Sequence, residues 1–480
     1  MFINEYIDRM NNHYRQTSED QRPAVGLKYR LVLPLLLLFS VRLAAQAPLD
    51  EYVAAALQSN LVLKEKSVSM DKALLAIREA KTLFGPTVSL ETQYTLAQGG
   101  RAISLPVGDL LNPVYATLNQ LTASNRFPQI ANVQEQFLPN NFYDVRVRTS
   151  MPILNPDVRI NRDIKTKQAD LSQSELDTYR RELVKEVKSA YYDHLATVQA
   201  IGIWTSTLAL VEEGLRFNRS LLANGKGLPA QVARSEAEVA SVQSRLASAR
   251  SDRRNTAARL NFLMNRPLTD SIEAVDPELP LDVLQMLSDT ATAGLRGREE
   301  LKTLGIATGI SRDLVRLSES YRKPRLATFV DLAAQGFNFK VNRQSLFYLG
   351  GLSLQIPLYT GGRNRLKAEQ AALDLKAINL RTQYVTSQLE LSVLVTRNAA
   401  RDAYQAWQAS QQEERASIQY HKLVDKGYRE GVNGYIELLE ARNQLSSSRI
   451  QTAIRKSALL KALAACERET ASFKLPNSTP

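Results

Sequence analysis

Hydrophobic and polar residues alternate with period two in four short segments of the chain, and follow helical spacing over most of the rest. The four segments are 86–96, 142–152, 324–334 and 344–357. In the second segment, Val145 and Val147 alternate with Arg146 and Arg148, which is typical of a strand with one apolar and one polar face. We therefore expect four strands, each with two chemically different faces.

Long stretches free of proline follow the second and the fourth segment. The stretch from Arg363 to Lys426 has no glycine either, and only Gly202 and Gly214 interrupt 157–222. Such a stretch would form a helix of roughly 95 Å, several times the length of an ordinary globular helix. Each is followed by a glycine-containing break and a second helical pattern, over 230–266 and 435–470. The pattern predicts two long helical hairpins, packed as coiled coil.

The chain contains two copies of one unit. LKEKSVSMDKALLAIREAKTLFGP at 63–86 corresponds to LKTLGIATGISRDLVRLSESYRKP at 301–324, and the residues around Pro152 correspond to those around Pro357. Each copy reads as a helix, a strand pair and a long helical hairpin. We assign the first structural repeat to 48–270, an equatorial linker to 271–300, the second repeat to 301–470 and a C-terminal tail to 471–480.

Each copy joins a strand directly to a long helix. The residues of these two joints are Pro152, Asn155 and Pro156 in the first copy and Pro357, Thr360, Gly361 and Gly362 in the second. We expect Pro152 and Pro357 to close the strands, and Asn155 and Thr360 to be the N-caps of the helices. Pro156 suits the first helical position, and the two glycines would let the chain change direction at no steric cost.

The first copy carries 33 more residues than the second between its two strands, in the loop 104–141. Barrel proteins place their longer loops outside the cell. We expect an ordered extracellular cap or constriction.

Residues 1–47 are interpreted as an N-terminal extension followed by a signal peptide. Lys28 and Arg30 precede the apolar run 31–41, and small residues follow at 43–47. The apolar run is about half of the ~20 residues that a membrane-spanning helix needs. The cleavage site stays open within two residues, and so does the true start codon.

Composition offers little for catalysis or metal binding. The chain has one cysteine, Cys466, and its three histidines, His13, His194 and His421, lack zinc-site spacing. No nucleophile motif is visible either, so we predict neither an enzyme nor a cofactor. The net charge of +12 comes from basic residues interleaved with acidic ones, which favours solvated helix faces over a nucleic-acid surface.

An apolar row of side chains opposite a cationic row suits a barrel wall with lipid outside and water inside. Every backbone polar group in lipid must be paired, so such a sheet has to close. Four strands are too few, since the smallest common barrels have eight. Several identical chains must therefore contribute strands, and their hairpins would continue the barrel as a tube.

The order and spacing of these features resemble the TolC-type outer-membrane efflux proteins, from LDEYVAAALQSN at 49–60 through IPLYTGGRNR to the terminal helix. The resemblance implies a mixed α and transmembrane β fold: a homotrimer whose twelve-stranded barrel takes four strands from each chain and continues as a long periplasmic α-helical barrel. It also implies a passive exit duct in the cell outer membrane, in contact with outer-membrane lipid. The implied partners are a periplasmic adaptor and an inner-membrane pump or ABC transporter, as in tripartite efflux or type I secretion. The alternative is a periplasmic adaptor or coiled-coil scaffold without pore activity. The cargo is not specified by the sequence.

The resemblance also points to a gate. The family places two acidic residues after the second-copy glycine, and GVNGYIELLEA puts Glu437 and Glu440 there. In a trimer they would form rings of carboxylates that attract cations. The family's latching tyrosine is matched by Tyr428, but Asn433 and Gln231 stand where its basic and acidic partners would be. We expect a neutral Tyr428–Gln231 hydrogen bond and a gate that is fastened differently.

Overall fold

The computed structural model describes residues 48–277, 279 and 297–475. The signal peptide expected over 1–47, most of the linker beyond 277 and the end of the tail lie outside the described residues. The chain divides into two compact units after Glu51, and only the opening turn of helix α1 (Pro48–Ser59) is described in the first. All that follows concerns the second unit, from Tyr52 onward.

The elements follow the predicted order in both copies. Along the first copy they are α2 (Leu61–Thr82), β1 (Thr87–Thr95), β2 (Ala102–Leu105), α3 (Val107–Leu121), β3 (Val133–Gln136), β4 (Phe142–Leu154), α4 (Pro156–Ala223) and α5 (Pro229–Leu263). Along the second copy they are α6 (Glu299–Glu319), a 3-10 turn (Ser320–Arg322), β5 (Arg325–Phe337), β6 (Leu346–Gln355), α7 (Arg363–Arg429) and α8 (Tyr435–Glu469). Helices α4 and α7 are continuous over 68 and 67 residues. Neither Gly202 nor Gly214 interrupts α4.

Strands β1, β4, β5 and β6 form one antiparallel sheet in that order, with β1 and β6 at its edges. They lie within three residues of the four segments predicted from the alternating pattern. Consecutive strands in this sheet run in opposite directions, so the two edge strands also run opposite to each other.

The two faces of the sheet differ as the alternation predicts. One row across the apolar face consists of Leu90, Val147, Leu332 and Tyr348, all of them exposed. On the opposite face the Arg148 guanidinium donates to both carboxylate oxygens of Asp331, at 2.8 and 2.7 Å, and Arg146 pairs with Asp144. Because the cationic side chains are matched by carboxylates, this face is polar without being strongly charged.

The helices pack side by side in two tiers. Along the half nearer the sheet, α2 packs on α4, α4 on α6, and α6 on α7. Along the other half, α5 packs on α4, α4 on α8, and α8 on α7. Helix α4 is therefore flanked on both sides over its length, whereas α2, α5 and α7 lie at the sides of the layer.

The first joint is capped as predicted. The Asn155 side chain accepts from the Asp157 backbone N–H at 3.1 Å, and Pro156 occupies the first helical turn. The Asp157 carboxylate also accepts from the Ser320 hydroxyl and pairs with Arg325. The acidic group at the positive end of α4 thus ties the first joint to the second copy.

Pro152 does not close its strand, contrary to prediction. Strand β4 continues to Leu154, with an irregular register after the pair Pro152–Ala327. Strand β1 pairs with β4 only as far as Ser150. Proline has no N–H to donate, and here it falls where β4 has a single neighbouring strand.

The prediction that Thr360 caps α7 is wrong. The N-cap is Gly362, with φ +77°, and Gly361 before it has φ +61°. Two successive left-handed residues are accessible to glycine without cost, so the glycines complete the turn and Thr360 only accepts from the Arg363 N–H through its carbonyl. Pro357 lies beyond the end of β6 rather than within it.

The inserted segment of the first copy is ordered and contains β2, α3 and β3. Two asparagines of α3 fasten it to the chain that follows. Asn112 exchanges two hydrogen bonds of 2.9 Å with the Ile130 backbone, and Asn119 exchanges bonds of 2.7 and 3.1 Å with the Phe127 backbone. Its placement outside the cell stays a prediction.

Candidate functional site at the hairpin ends

The predicted gate residues Glu437 and Glu440 lie in the first two turns of α8, and both are exposed. Their spacing puts them on one side of the helix. The Glu437 carboxylate accepts from the Asn433 amide at 2.7 Å and from the Gly434 N–H at 3.3 Å. Glu437 therefore also caps its own helix, which fixes the direction of its side chain.

Asn433 stands where the family has a basic latch residue, but here it stabilises the turn between α7 and α8. Its backbone N–H donates to the Gly427 carbonyl at 3.2 Å, and its side-chain oxygen rests where a Cβ at Gly427 would lie. Any side chain at residue 427 would therefore displace Asn433 and, with it, Glu437.

A chain of hydrogen bonds joins the two hairpins near their ends. The Tyr428 hydroxyl donates to the Asn218 side-chain oxygen at 2.7 Å, and the Asn218 amide donates to the Ser235 hydroxyl at 2.8 Å. The Tyr435 hydroxyl lies 2.7 Å from the same Ser235 oxygen. The predicted bond from Tyr428 to Gln231 is wrong, because the Gln231 side chain instead accepts from the backbone at the start of α5.

This chain of bonds is neutral and buried. Asn218 is 1% and Ser235 3% exposed. Burial raises the pKa of Tyr428, and the neighbouring Tyr435 adds to the effect, so the Tyr428 hydroxyl stays protonated and available to donate. Two bonds pass from α4 and α5 of the first copy to α7 and α8 of the second.

Charged contacts surround these neutral bonds. Arg429 donates to Glu213 at 3.1 Å, but both side chains are more than half exposed, so the pair contributes little. Arg442 lies against Gly214, where a Cβ would overlap its guanidinium, and 3.7 Å from Asp425. Gly214 is thus the point at which α4 makes room for an arginine of the second hairpin.

Asn218, Ser235 and Tyr435 were missed by sequence reasoning. Asn218 is one polar residue among many on a 68-residue helix, and nothing in its neighbourhood marks it. Its partner Ser235 lies 17 residues further on, across the turn between α4 and α5. To predict that Asn218 and Ser235 face each other, one would need to know how each helix is rotated about its own axis.

A second charged cluster lies far from the hairpin ends, where α8 finishes. The Arg298 side chain, 0% exposed, donates to Glu300 at 2.9 Å and to Glu469 at 2.6 Å. Ser392 of α7 donates to Glu469 at 2.9 Å. Burial alone would raise the pKa of Glu300 and of Glu469, but the hydrogen bonds from Arg298 hold both below the usual value.

Within 48–277 and 297–475, no group of three or more histidine, cysteine, aspartate or glutamate side chains is placed to hold a metal ion. Cys466 is half-buried, and its thiol lies 3.4 Å from the Thr396 carbonyl. Burial raises the pKa of this thiol to about 11, so it is a packing residue at neutral pH.

The fold of the chain is that of solved outer-membrane channels. The outer membrane protein VceC of Vibrio cholerae has a TM-score of 0.68 at 14% identity, covering 88% of this chain and 95% of that chain. CmeC of Campylobacter jejuni has a TM-score of 0.69 at 13% identity, covering 94% of each chain. The open state of MtrE from Neisseria gonorrhoeae has a TM-score of 0.69 at 17% identity, covering 88% of each.

Comparison of the sequence with curated proteins gave no match. The family model of outer membrane efflux proteins, by contrast, matches residues 52–266 and 309–468, well over half of the chain and parts of both copies. The match includes the strands, all four long helices and the residues at the hairpin ends. The chain is therefore an outer-membrane efflux channel that belongs to the outer membrane efflux protein family.

Proposed function

We propose that three copies of this chain close into one passive duct, the exit of a tripartite efflux or type I secretion system. The observation that carries the proposal is that each copy has two unpaired sides that match each other. One side presents β1 and α2, and the other presents β6 and α7.

The sheet supplies the first half of the match. Strands β1 and β6 are its edges and run in opposite directions, so β6 of one copy can pair antiparallel with β1 of the next. Unpaired strand edges are not stable in lipid, which requires closure. Three copies supply twelve strands, an even number that lets every neighbouring pair run antiparallel.

The helices supply the second half. Both α2 and α7 expose leucine or valine at every seventh residue, each side chain more than half exposed: Leu61, Val68 and Leu75 in α2, and Leu366, Leu373 and Leu380 in α7. A spacing of seven keeps such side chains on the seam of a coiled coil. Because α2 enters the sheet and α7 leaves it, the two stripes lie beside the two sheet edges and run antiparallel.

The hairpin ends form the gate in this assembly. Threefold symmetry turns Glu437 and Glu440 into six carboxylates around one axis, which would attract cations in a narrow aqueous pore. The bonds Tyr428–Asn218 and Tyr435–Ser235 hold the second hairpin to the first. We infer that opening breaks these buried bonds rather than a Tyr428–Gln231 contact.

The ends of the hairpins that lie farthest from the sheet present an apolar surface for a periplasmic adaptor. Leu228, Val432 and Ile436 are all more than half exposed there. The adaptor would connect the duct to an inner-membrane pump or ABC transporter, and the partner transporter would select the cargo. At the other end, the apolar face of the sheet would contact outer-membrane lipid.

Cysteine crosslinking tests the assembly. In a Cys466→Ser background, Leu75→Cys is combined in turn with Leu366→Cys, Leu373→Cys and Leu380→Cys, and the membranes are oxidised. At least one pair should give covalent dimers and trimers on a denaturing gel, with no larger species. The single-cysteine Leu75→Cys protein is the control. If every pair stays monomeric, the proposed seam is wrong.

Conductance in planar bilayers tests the duct and its gate. The purified protein should form ion-permeable pores that prefer cations, and Glu437→Gln with Glu440→Gln should reduce that preference. Gln231→Ala should leave the conductance unchanged, because the Tyr428 hydroxyl bonds to Asn218 and the Gln231 side chain bonds to the backbone of Leu228. A protein that inserts into bilayers but never conducts would contradict the duct.

A further inference from the structure

An arginine of the second hairpin is buried near the hairpin ends without an acceptor for its Nε–H group. The side chain of Arg442, in α8, is 10% exposed, and its Nε has no hydrogen-bond partner among the described residues. The Asp425 carboxylate, 3.7 Å from Nη2, is too far away for a hydrogen bond and accepts from Arg429 at 3.0 Å instead. The gate proposed above gives Arg442 no role.

The first hairpin covers this guanidinium. A Cβ at Gly214 of α4 would overlap Nη1 of Arg442 and would lie 3.2 Å from Cζ and 3.3 Å from Nη2, so the guanidinium rests against the backbone of α4. Asp425 lies on the second hairpin, as Arg442 does. If the two hairpins separated, Arg442 would be uncovered while its neighbour Asp425 moved with it.

A small cavity lies beside the contact between Arg442 and Gly214. Its volume is about 30 Å³, and its wall includes Glu213 and Tyr428. It has room for about one or two water molecules. Water in the cavity does not satisfy the Arg442 Nε, because that atom has almost no solvent-accessible surface. The N–H group is therefore desolvated without a compensating acceptor, which is unfavourable for a donor on a charged side chain.

The cavity does not favour an anion that could pair with Arg442. Its wall carries the carboxylates of Glu213 and Asp425 and the guanidinium groups of Arg429 and Arg442, so the formal charges cancel. Water in the bulk solvent, by contrast, accepts from every N–H of an exposed guanidinium. Uncovering Arg442 would thus remove the cost of its unpaired N–H, and separation of the hairpins is the movement that uncovers it.

We propose that Arg442 is a gating residue that favours the open channel. The inference rests on the gate proposed above, in which Tyr428–Asn218 and Tyr435–Ser235 hold the hairpins together. Joining the hairpins forms these two neutral bonds and at the same time desolvates the Arg442 N–H. The closed channel is therefore less stable than the two bonds alone would make it, and a partner needs less binding energy to open it.

Arg442→Met tests this role, because it keeps a long side chain against Gly214 and removes the N–H groups. In planar bilayers, the ratio of open to closed time should fall roughly fivefold to thirtyfold. Arg455→Met is the matched control, since it removes the same charge from an exposed position of α8, and it should behave like the native channel. If Arg442 merely held the hairpins together, Arg442→Met would open more often. That result, or an unchanged ratio, would overturn the proposal.

Gly214→Ala tests the contact from the side of α4. The added methyl group would displace the guanidinium, so this variant should open more often than the native channel. In an Arg442→Ala background there is no guanidinium to displace, and Gly214→Ala should change the ratio of open to closed time little. An equal effect in both backgrounds would contradict the proposal.

The recordings also separate this inference from the gate on which it rests. If Tyr428→Phe opens more often while Arg442→Met behaves like the native channel, the gate stands and the role of Arg442 is wrong. If the native protein never conducts, the gate and the role of Arg442 are both wrong.

Discussion

Helices α4 and α7 occupy corresponding places in the two copies and have nearly the same length, yet they are buried very differently. Helix α4 buries 18 of its 68 residues and α7 only 6 of 67. The difference follows from position in the layer, because α4 has neighbours on both sides and α7 on one. One repeated sequence pattern has thus produced a central helix and a helix at an edge, and the edge helix leaves Leu366, Leu373 and Leu380 exposed within one copy.

The largest effect is expected from charge placed on the exposed stripe of α7 that Leu366, Leu373 and Leu380 form. We expect Leu373→Asp with Leu380→Asp to abolish the trimer, because each carboxylate would have to be buried in an apolar seam. The chain itself should keep its helix content, since both leucines are exposed within one copy. Light scattering on the detergent-solubilised protein measures the mass of the assembly.

The matched control is Asn379→Asp with Gln388→Asp, which adds the same charge at exposed polar positions of the same helix to either side of the stripe. This control should remain trimeric. If both double variants fall apart, the cause is net charge rather than the stripe.

A smaller effect, a loss of folding stability, is expected from a change in the charged cluster where α6, α7 and α8 meet. Arg298→Met removes the fully buried cation that pairs with Glu300 and Glu469 and leaves them only Arg468, at 3.0 and 2.9 Å. Breaking a buried ion pair typically costs about 3–5 kcal/mol, and the remaining arginine should keep the loss near the lower end of that range. Denaturant unfolding followed by circular dichroism measures the loss. Arg312→Met, at an exposed position of the same helix α6, should change the free energy of unfolding by no more than about 0.5 kcal/mol.

The same cluster predicts a pH dependence. Because the pKa of Glu300 and of Glu469 is depressed in the folded state, their contribution to stability is present above the unfolded pKa of about 4.5 and is lost as the pH falls through the folded values. The native protein should therefore lose thermal stability below pH 4.5 by more than the Arg298→Met variant does. Parallel acid profiles for the two proteins would contradict this assignment.

The smallest predicted effect concerns the hydrogen bond between Tyr428 of α7 and the buried Asn218 of α4. Tyr428→Phe removes the donor to Asn218 and leaves a buried amide oxygen without this partner, which typically costs about 1–3 kcal/mol. We expect more frequent channel opening, measured as a higher open probability in bilayers. Tyr420→Phe in the same helix, at an exposed position, is the control and should behave like the native channel.

The regular parts of the fold could be predicted from the sequence because they follow from repeated local patterns. Alternation placed the four strands within three residues, and the absence of glycine and proline placed α7. The cap at Thr360 could not be predicted correctly, since threonine is a good N-cap in isolation and only the backbone shows that two glycines with positive φ precede the helix.

The partner of Tyr428 shows a different limit. The resemblance identified Tyr428 correctly and predicted Gln231 as its partner, because Gln231 stands at the family's acidic position. In the structure, Tyr428 bonds to Asn218 on another helix. The rotation of a long helix about its axis depends on every contact along it, so no single residue could report it. The same holds for Gly214, which breaks a sequence pattern but admits Arg442 in the folded chain.

The two edges of the sheet, β1 and β6, are different strands, and this difference affects how many copies of the chain can assemble. A contact between β1 of one copy and β6 of the next is heterologous, so nothing in the contact itself limits the number of copies. Whether such chains close into a ring or continue as an open fibre depends only on the rotation between neighbours. A substitution that changed this angle by a few degrees could leave every contact intact and still turn a channel into a polymer.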